Sequence, residues 1–136
     1  MTQIVSRRIT KYTDSILSIL CQLQHATNAE IASRLRELYS NVSDTTVHRI
    51  TQRLQSDGVI GLAPVPRQGC LRYDFSPESH DHFICSECDS LQDIKVPDSV
   101  RCQIGRQLDG CCFDGPLVIT GVCQQCKNRR RNYGIN

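Results

Sequence analysis

The sequence predicts an α+β protein made of two parts. Apolar residues at helical spacing, followed by short strands around a turn rich in Pro and Gly, predict three helices and a β-hairpin over residues 1–74. Strand signals with one helix and two Cys-x-x-Cys pairs predict a smaller α/β part over residues 75–136. A chain of 136 residues is long enough for one domain or two small ones.

Each helix of the first part has its own start signal. The first is expected to begin near Thr-Asp-Ser at residues 13–15, ahead of apolar residues that continue to Leu23. In the second, Thr27 and Glu30 fit a capping box, and the expected apolar stripe consists of Ile31, Leu35 and Leu38. In the third, Ser43 is the expected N-cap and Gly58 ends the helix. Its inward residues are Val47, Ile50 and Leu54.

The outward face of the third helix carries hydrogen-bonding side chains. They are Thr45, Thr46, His48, Arg49, Gln52 and Arg53. Such groups contact phosphates and base edges, and Arg and Gln can do so with two hydrogen bonds at once.

Strands expected at residues 59–63 and 70–75 flank the turn PVPRQG. Three helices and a hairpin describe a winged helix, whose third helix lies in the major groove of double-stranded DNA. A small helical domain with a charged face is the alternative.

Charge is unevenly distributed along the chain. Residues 1–72 hold nine Lys/Arg against five Asp/Glu, whereas residues 73–126 hold three against nine. A basic first part beside an acidic second part favours a polyanionic partner for the first.

No apolar run reaches transmembrane length, so we expect a soluble protein without a membrane partner. Residues 1–13 lack the apolar region of a signal peptide, which favours the cytoplasm.

Four of the nine cysteines have the spacing of a zinc site. Cys85 and Cys88 form one Cys-x-x-Cys pair, and Cys123 and Cys126 form another. Four thiolates close a tetrahedron around zinc (Zn2+) and leave no open position, so the site would be structural. A disulfide framework is the alternative, but the odd cysteine count and the expected compartment disfavour it. Most of the other cysteines are expected to be small buried side chains, and a redox role for Cys111 and Cys112 is the alternative for that pair. These other cysteines are Cys21, Cys70, Cys102, Cys111 and Cys112.

The stretch SHDHFICSEC poses the question of one metal or two. On a strand, His80 and His82 share a face and Cys85 points the other way. Thiolates suit a structural zinc ion, whereas imidazole together with carboxylate suits borderline or hard divalent ions, so two separate metal sites are favoured. A single site formed by these two histidines with Cys85 and Cys88 remains the alternative.

The second part offers little apolar sequence for a core. Strands are expected at HFIC, LQDIKV and PLVITGVC, and a helix from Asp98 to about Asp109. Zinc and pairing with a second copy would both stabilise so small a unit. The basic run KNRRR is expected to be solvating charge, and a disordered phosphate-binding tail is the alternative.

The motifs TTVHR, HDHFICSEC and GVCQQC, in this order, resemble the ferric uptake regulator (Fur) family of bacterial metal-dependent repressors. The resemblance covers nearly the whole chain. It implies a homodimer with an N-terminal DNA-binding domain, a C-terminal dimerisation domain and a regulatory metal at their junction. It also matches the four paired cysteines to the structural zinc site found in many members.

The resemblance implies a regulatory ligand set of three imidazoles and two carboxylates. The matching residues are His25, Asp74, His80, His82 and Asp93. This set is similar to that of the peroxide-sensing branch, PerR, because iron-sensing members usually have Glu where Asp93 stands. Iron (Fe2+) or manganese (Mn2+) would bind, and with iron His25 or His80 would be oxidised by peroxide. His48 departs from the family pattern, since most members have Tyr there, so the usual operator sequence is not implied.

Three functions other than peroxide sensing fit parts of this pattern. The first is an iron- or manganese-responsive repressor with the same ligands. The second is a zinc-stabilised DNA-binding module without sensing. The third is a metallohydrolase that uses His25, His80 and His82, but it leaves the winged helix unexplained and has no evident general base.

Overall fold

The computed structural model describes residues 2–65 and 69–134, which form two compact units. Apart from residues 66–69, which are grouped with the second unit, the first unit ends at Glu78 and the second begins at Ser79. The first contains, in chain order, α1 (Thr2–Leu23), β1 (His25–Thr27), α2 (Asn28–Leu38), α3 (Asp44–Ser56), β2 (Gly61–Ala63) and β3 (Arg72–Asp74). The second contains β4 (Asp81–Cys85), β5 (Leu91–Ile94), α4 (Asp98–Arg106), β6 (Val118–Gly121) and α5 (Gln124–Asn132).

The three helices of the first unit surround one apolar core. Its buried members include Ile16, Leu20, Ile31, Leu35, Val47, Ile50, Leu54 and Tyr73. Both predicted N-caps are confirmed, since the Thr27 side chain accepts a hydrogen bond from the Glu30 N–H and the Ser43 side chain accepts one from the Thr46 N–H. Gly58 has a φ of +73°, and its N–H donates to the carbonyl of Gln55 just beyond the end of α3.

Two predictions for the helices were wrong. Helix α1 begins at Thr2, so residues 13–15 lie inside it rather than at its start. No Pro or Gly interrupts the segment before them, and helical structure can therefore continue through it. Leu38 is 63% exposed and does not join the buried stripe, because it is the last residue of α2 and lies beyond the core.

A three-stranded antiparallel sheet completes the first unit, with β3 between β1 and β2. The strands β2 and β3 fall within the predicted segments, whereas the connecting residues 66–68 lie outside the described residues. The strand β1 was missed and its residues were taken as a loop, because three residues are too few to show alternation. In the register of the sheet, His25 lies opposite Asp74. A Cβ at Gly61 would come within 2.7 Å of the Ser76 carbonyl oxygen, so glycine is required there.

The second unit is built on a mixed sheet in the order β5-β4-β6. The strand β4 pairs antiparallel with β5 and parallel with β6. The strands β5 and β6 lie within the predicted segments, whereas β4 begins one residue before its predicted segment, because Asp81 already pairs with Ile94 of β5. Helix α4 ends at Arg106, earlier than predicted, and none of its residues is buried. The basic run at residues 127–131 lies in α5, so the alternative of a disordered tail was wrong.

A buried carboxylate holds the sheet, the β5–α4 connection and α4 together. Asp81 accepts hydrogen bonds from the N–H groups of Leu117, at 2.8 Å, and Val96, at 3.1 Å. It also pairs with the Arg101 guanidinium of α4. The Leu117 bond and the Arg101 pairing lower the pKa of Asp81 to about 2. Asp81 therefore stays ionised and orders the start of β4.

The predicted α+β class is confirmed by the mixture of helices and strands. The two units differ in how much apolar surface they bury, since few buried apolar side chains lie in the second unit, among them Ile84. Val118 and Ile119 of β6 are about half exposed. The five cysteines outside the two Cys-x-x-Cys pairs are exposed, so the expectation that most of them are buried was wrong; they lie outside the apolar cores. Within residues 2–65 and 69–134, no helix has the length and apolar character needed to cross a bilayer.

Candidate metal sites and nucleic-acid interface

Four cysteine sulfurs converge in the second unit. The Sγ atoms of Cys85 and Cys126 are 3.8 Å apart, and those of Cys88 and Cys123 are 3.7 Å apart. All four Sγ atoms lie within 4.8 Å of one another. A tetrahedral zinc with Zn–S bonds of about 2.3 Å places its sulfurs roughly 3.8 Å apart, which matches these separations.

Two local structures aim these sulfurs at one point. Cys85 ends β4, and the turn after it is closed by the Asp89 N–H bonding to the Cys85 carbonyl, with Asp89 at a φ of +60°. Cys123 is the N-cap residue of α5, and Cys126 lies in the first turn of that helix. The Cys123 N–H points at the Cys85 sulfur, at 3.4 Å. One strand end and one helix start therefore bring the two sequence pairs together.

The environment affects the four thiols differently. Burial disfavours the Cys85 thiolate, but hydrogen bonds from the N–H groups of Cys123 and Cys88 outweigh that cost and lower the pKa of Cys85 to about 7. A hydrogen bond from the backbone N–H of Cys126 likewise lowers the pKa of Cys123. Burial raises the pKa of the Cys126 thiol to about 12. Four thiolates this close repel one another, so full ionisation requires a cation among them. The cluster can hold a structural zinc ion.

A second group of ligand-type side chains lies in the same unit, beside β4. One carboxylate oxygen of Asp93 is 3.0 Å from Nε2 of His80 and 3.2 Å from Nε2 of His82. The two imidazole rings are 4.2 Å apart between centroids. This proximity follows from the sheet, since His82 lies opposite Asp93 in the β4–β5 register. His82 is buried, whereas Asp93 is partly open to solvent.

The first unit also contains an imidazole close to a carboxylate. Nε2 of His25 is 3.4 Å from a carboxylate oxygen of Asp74, and both side chains are nearly covered. The β1–β3 register places them opposite each other, and the second Asp74 oxygen accepts a hydrogen bond from the Ser76 N–H at 2.9 Å. The histidine that sequence analysis placed in a loop is thus held by a strand pairing.

The predicted DNA-contacting residues all lie on α3. Thr45, His48, Arg49, Gln52 and Arg53 are exposed, and Val47, Ile50 and Leu54 on the opposite side are buried. Thr46 is half-buried, and its hydroxyl lies 2.9 Å from the Ser43 hydroxyl at the helix start. Arg49 and Arg53 border a cavity of about 500 Å³ together with Thr13 of α1. An exposed polar helix face of this kind can meet a DNA groove.

Sequence analysis missed two residues beside this face. Asn28, the first residue of α2, contacts His48 of α3, and Thr51 of α3 is fully buried against Asn28. A polar residue at a position that helical spacing assigns to the core was the available signal.

Comparison with known proteins decides the family. The family model described as "Ferric uptake regulator family" matches residues 5–106, which is most of the chain. The chain belongs to the ferric uptake regulator family. Members of this family are metal-responsive, DNA-binding regulators, not enzymes.

Among curated relatives, the family member named peroxide-responsive repressor PerR of Staphylococcus saprophyticus is 27% identical over 125 residues. The match covers 90% of this chain and 84% of that protein. Proteins of the same name from strains of Staphylococcus aureus are 25% identical over the same length.

Solved structures of other family members share the fold. The ferric uptake regulator Fur of Helicobacter pylori, described as having three functional metal-binding sites, aligns with a TM-score of 0.70 at 22% identity. That match covers 86% of this chain and 80% of the other. The Campylobacter jejuni peroxide stress regulator aligns with a TM-score of 0.69 at 20% identity, over 93% and 98% of the two chains. At these identities the likeness establishes the fold alone.

Proposed function

We propose that this chain is a homodimeric repressor that binds a double-stranded DNA operator when a divalent ion occupies its histidine–aspartate ligands. We further propose that it senses peroxide through Fe2+ at those ligands and that Mn2+ binds there without responding. The cytoplasm is the compartment we infer, because reduced thiols are needed for the cysteine cluster.

One observation carries the metal proposal. The same Asp93 carboxylate oxygen lies within 3.2 Å of the imidazoles of both His80 and His82. Two imidazoles and a carboxylate around one point suit Fe2+ and Mn2+, which accept mixed nitrogen and oxygen donors. The four-cysteine cluster has a different donor chemistry, which favours assigning zinc to it and a second ion here.

The remaining ligands in this proposal are His25 and Asp74 of the first unit. Their support is the family resemblance of the motifs and their pairing across the β1–β3 register. An ion bound by side chains from both units would restrict the two to one arrangement. DNA affinity and metal affinity would then be coupled, because each ligand would favour the same conformation.

The DNA contact in this proposal is the exposed face of α3. Arg49, Gln52 and Arg53 supply donors at helical spacing, and the buried side of the helix fixes it against the core of the first unit. A dimer presents two such helices to two half-sites of an operator.

A second copy of the chain would bind through the second unit. Val118 and Ile119 on β6 and Val100 on α4 are exposed apolar side chains in a unit with little core of its own. Covering them would remove apolar surface from water, which favours association. The zinc cluster would stabilise the same unit by joining β4 to α5.

The peroxide part of the proposal is supported by Asp93, which stands where iron-sensing members of the family usually have Glu. Bound Fe2+ would supply the redox chemistry that activates peroxide. In the modification, one peroxide oxygen is added to the ring of His25 or His80 and the other leaves as water. The altered ring is a poorer ligand, so the ion is lost and DNA is released.

Mass spectrometry after a small excess of peroxide tests this part of the proposal. In Fe2+-loaded protein, the peptide carrying His25 or His80 should gain the mass of one oxygen atom, and DNA should dissociate. Mn2+-loaded protein is the matched control and should remain unmodified and bound. Unmodified peptides from the iron-loaded protein, with DNA still bound, would instead support an iron- or manganese-responsive repressor.

A further inference from the structure

A buried hydroxyl interrupts the apolar side of α3. Thr51 is fully buried, on the same side of the helix as Val47 and Leu54. A hydroxyl at such a position is costly unless it has a hydrogen-bond partner. Its three close acceptors are the Asn28 side-chain oxygen at 2.7 Å and the carbonyls of Val47 and His48, both at 3.1 Å.

The shortest of these contacts determines how the Asn28 amide is oriented. Because the Thr51 hydroxyl donates to Oδ1 of Asn28, the Nδ2 group of that amide is directed elsewhere. Nδ2 lies 3.1 Å from Nδ1 of His48. The backbone of Asn28 is itself held in place, since it follows β1 and the Thr27 N-cap directly.

This orientation specifies the protonation of His48. An amide nitrogen can only donate, so Nδ1 of His48 must accept and carries no proton. A neutral imidazole then has its single proton on Nε2, at the other edge of the ring. His48 is exposed, so the Nε2–H group is available to a partner outside the protein.

We propose that Asn28 and Thr51 are positioning residues that hold the His48 ring with its Nε2–H group outward, as a donor for reading one base of the operator. This inference rests on the proposed DNA-binding role of α3. A donor selects an acceptor on the base edge, which in the major groove means N7 or O6 of guanine, N7 of adenine or O4 of thymine. Neither Asn28 nor Thr51 needs to touch DNA, because both act through the ring of His48.

Selection from a random double-stranded DNA library tests the proposal with full-length, Mn2+-loaded protein. His48→Ala, Asn28→Ala and Thr51→Val should each weaken the preference at the same base pair of each half-site, by about two- to tenfold. Preferences at other positions should be unchanged. The double variant Asn28→Ala/His48→Ala should lose no more than His48→Ala alone, because the effect of Asn28 passes through His48.

Asn41→Ala is the matched control, since Asn41 is an exposed asparagine that precedes α3. It should select the same sequence as the wild type. Thr51→Val keeps the side-chain shape and removes only the hydroxyl, so it separates positioning from packing. If Asn28→Ala retains the full preference while His48→Ala loses it, the positioning role is wrong and the proposed function stands. If the wild type selects no sequence, the proposed function fails and this inference with it.

Nitrogen-15 NMR of the histidine rings gives an independent test without DNA. In the wild type, His48 should show a protonated Nε2 and an unprotonated Nδ1. Asn28→Ala should yield a mixture of the two neutral tautomers, because the amide that selects one of them is gone. A wild-type ring protonated on Nδ1 would contradict the inference.

Discussion

Two kinds of ligand-type side chain are separated in the structure. Sulfur atoms converge between the end of β4 and the start of α5, and imidazole and carboxylate groups converge between the start of β4 and β5. Side chains that alternate along β4 explain the separation, since Asp93 is paired with His82, whereas Cys85 meets Cys126. Each set can therefore be removed by mutation without altering the other.

Replacing Asp93 or His80 with Ala should abolish metal-dependent DNA binding and leave the fold intact. Loss of a ligand should weaken Mn2+ binding by more than the roughly 10–100-fold that follows mutation of a residue that only hydrogen-bonds to a ligand. Fluorescence anisotropy on an operator, with circular dichroism for the fold, provides the measurement. Asp114→Ala, an exposed carboxylate of the same unit, is the control and should behave as wild type.

Arg49 and Arg53 should each contribute to operator affinity. Replacement by Ala should cost about 1–3 kcal/mol where the side chain makes a bidentate base contact. A phosphate contact would instead lower affinity on all sequences and reduce the salt dependence. Titrations at several salt concentrations distinguish the two, and Arg34→Ala on α2 is the control. Unchanged affinity and salt slope in both variants would mean that α3 is not the recognition helix.

At the scale of elements, α5 depends on the cysteine cluster more than on its own sequence. It has nine residues, of which only Cys126 is buried, and so short a helix is marginal in water. Its start is held by Cys123 and Cys126, and an ion pair between Arg130 and Glu87 attaches its later part to the Cys85–Cys88 turn. The order of this basic segment is thus linked to the cysteine cluster.

Cys88→Ser should lose zinc, loosen α5 and weaken the dimer. Trypsin should then cut after Lys127, in the first turn of α5, much faster than in the zinc-loaded wild type. Cutting after Arg34, in α2 of the first unit, is the internal control and should stay slow. Sedimentation velocity on the same samples reports the dimer. Equal cutting at Lys127 in both proteins would show that zinc does not order this helix.

Sequence analysis predicted most helices and strands because their signals are local. The N-caps Thr27 and Ser43 and the apolar spacing of α2 and α3 each depend on neighbours within one or two turns. The strand β1 was missed because its only justification is pairing with β3, which is distant in sequence. Helix α5 was missed because the cluster that anchors it is assembled from two separate segments.

The candidate site residues follow the same division. The spacing of the cysteines and the His-x-His pattern can be recognised in the sequence, and the residue types at each candidate site could be predicted from it. The contact from Asn28 to His48 was not predictable, because it joins two helices through side chains 20 residues apart. The only indication of this contact in the sequence was a threonine at a position of α3 where the apolar spacing calls for a buried apolar residue.

In the molecule as a whole, the two units have different roles in the proposed mechanism. The first has the larger core and the basic balance of charge, and it carries α3. The second has a small core, an acidic balance over residues 73–126 and the cysteine cluster. In the proposed mechanism a divalent ion shared by both units converts metal binding into DNA affinity.

Operator binding by protein that retains its zinc but has been stripped of other metals tests that claim most directly. The account predicts weak binding in this state, strong binding after Mn2+ is added, and no response to Mn2+ in Asp93→Ala. Tight, sequence-specific binding by the stripped protein, unchanged by Mn2+, would contradict it. The chain would then be a zinc-stabilised DNA-binding module without a regulatory metal.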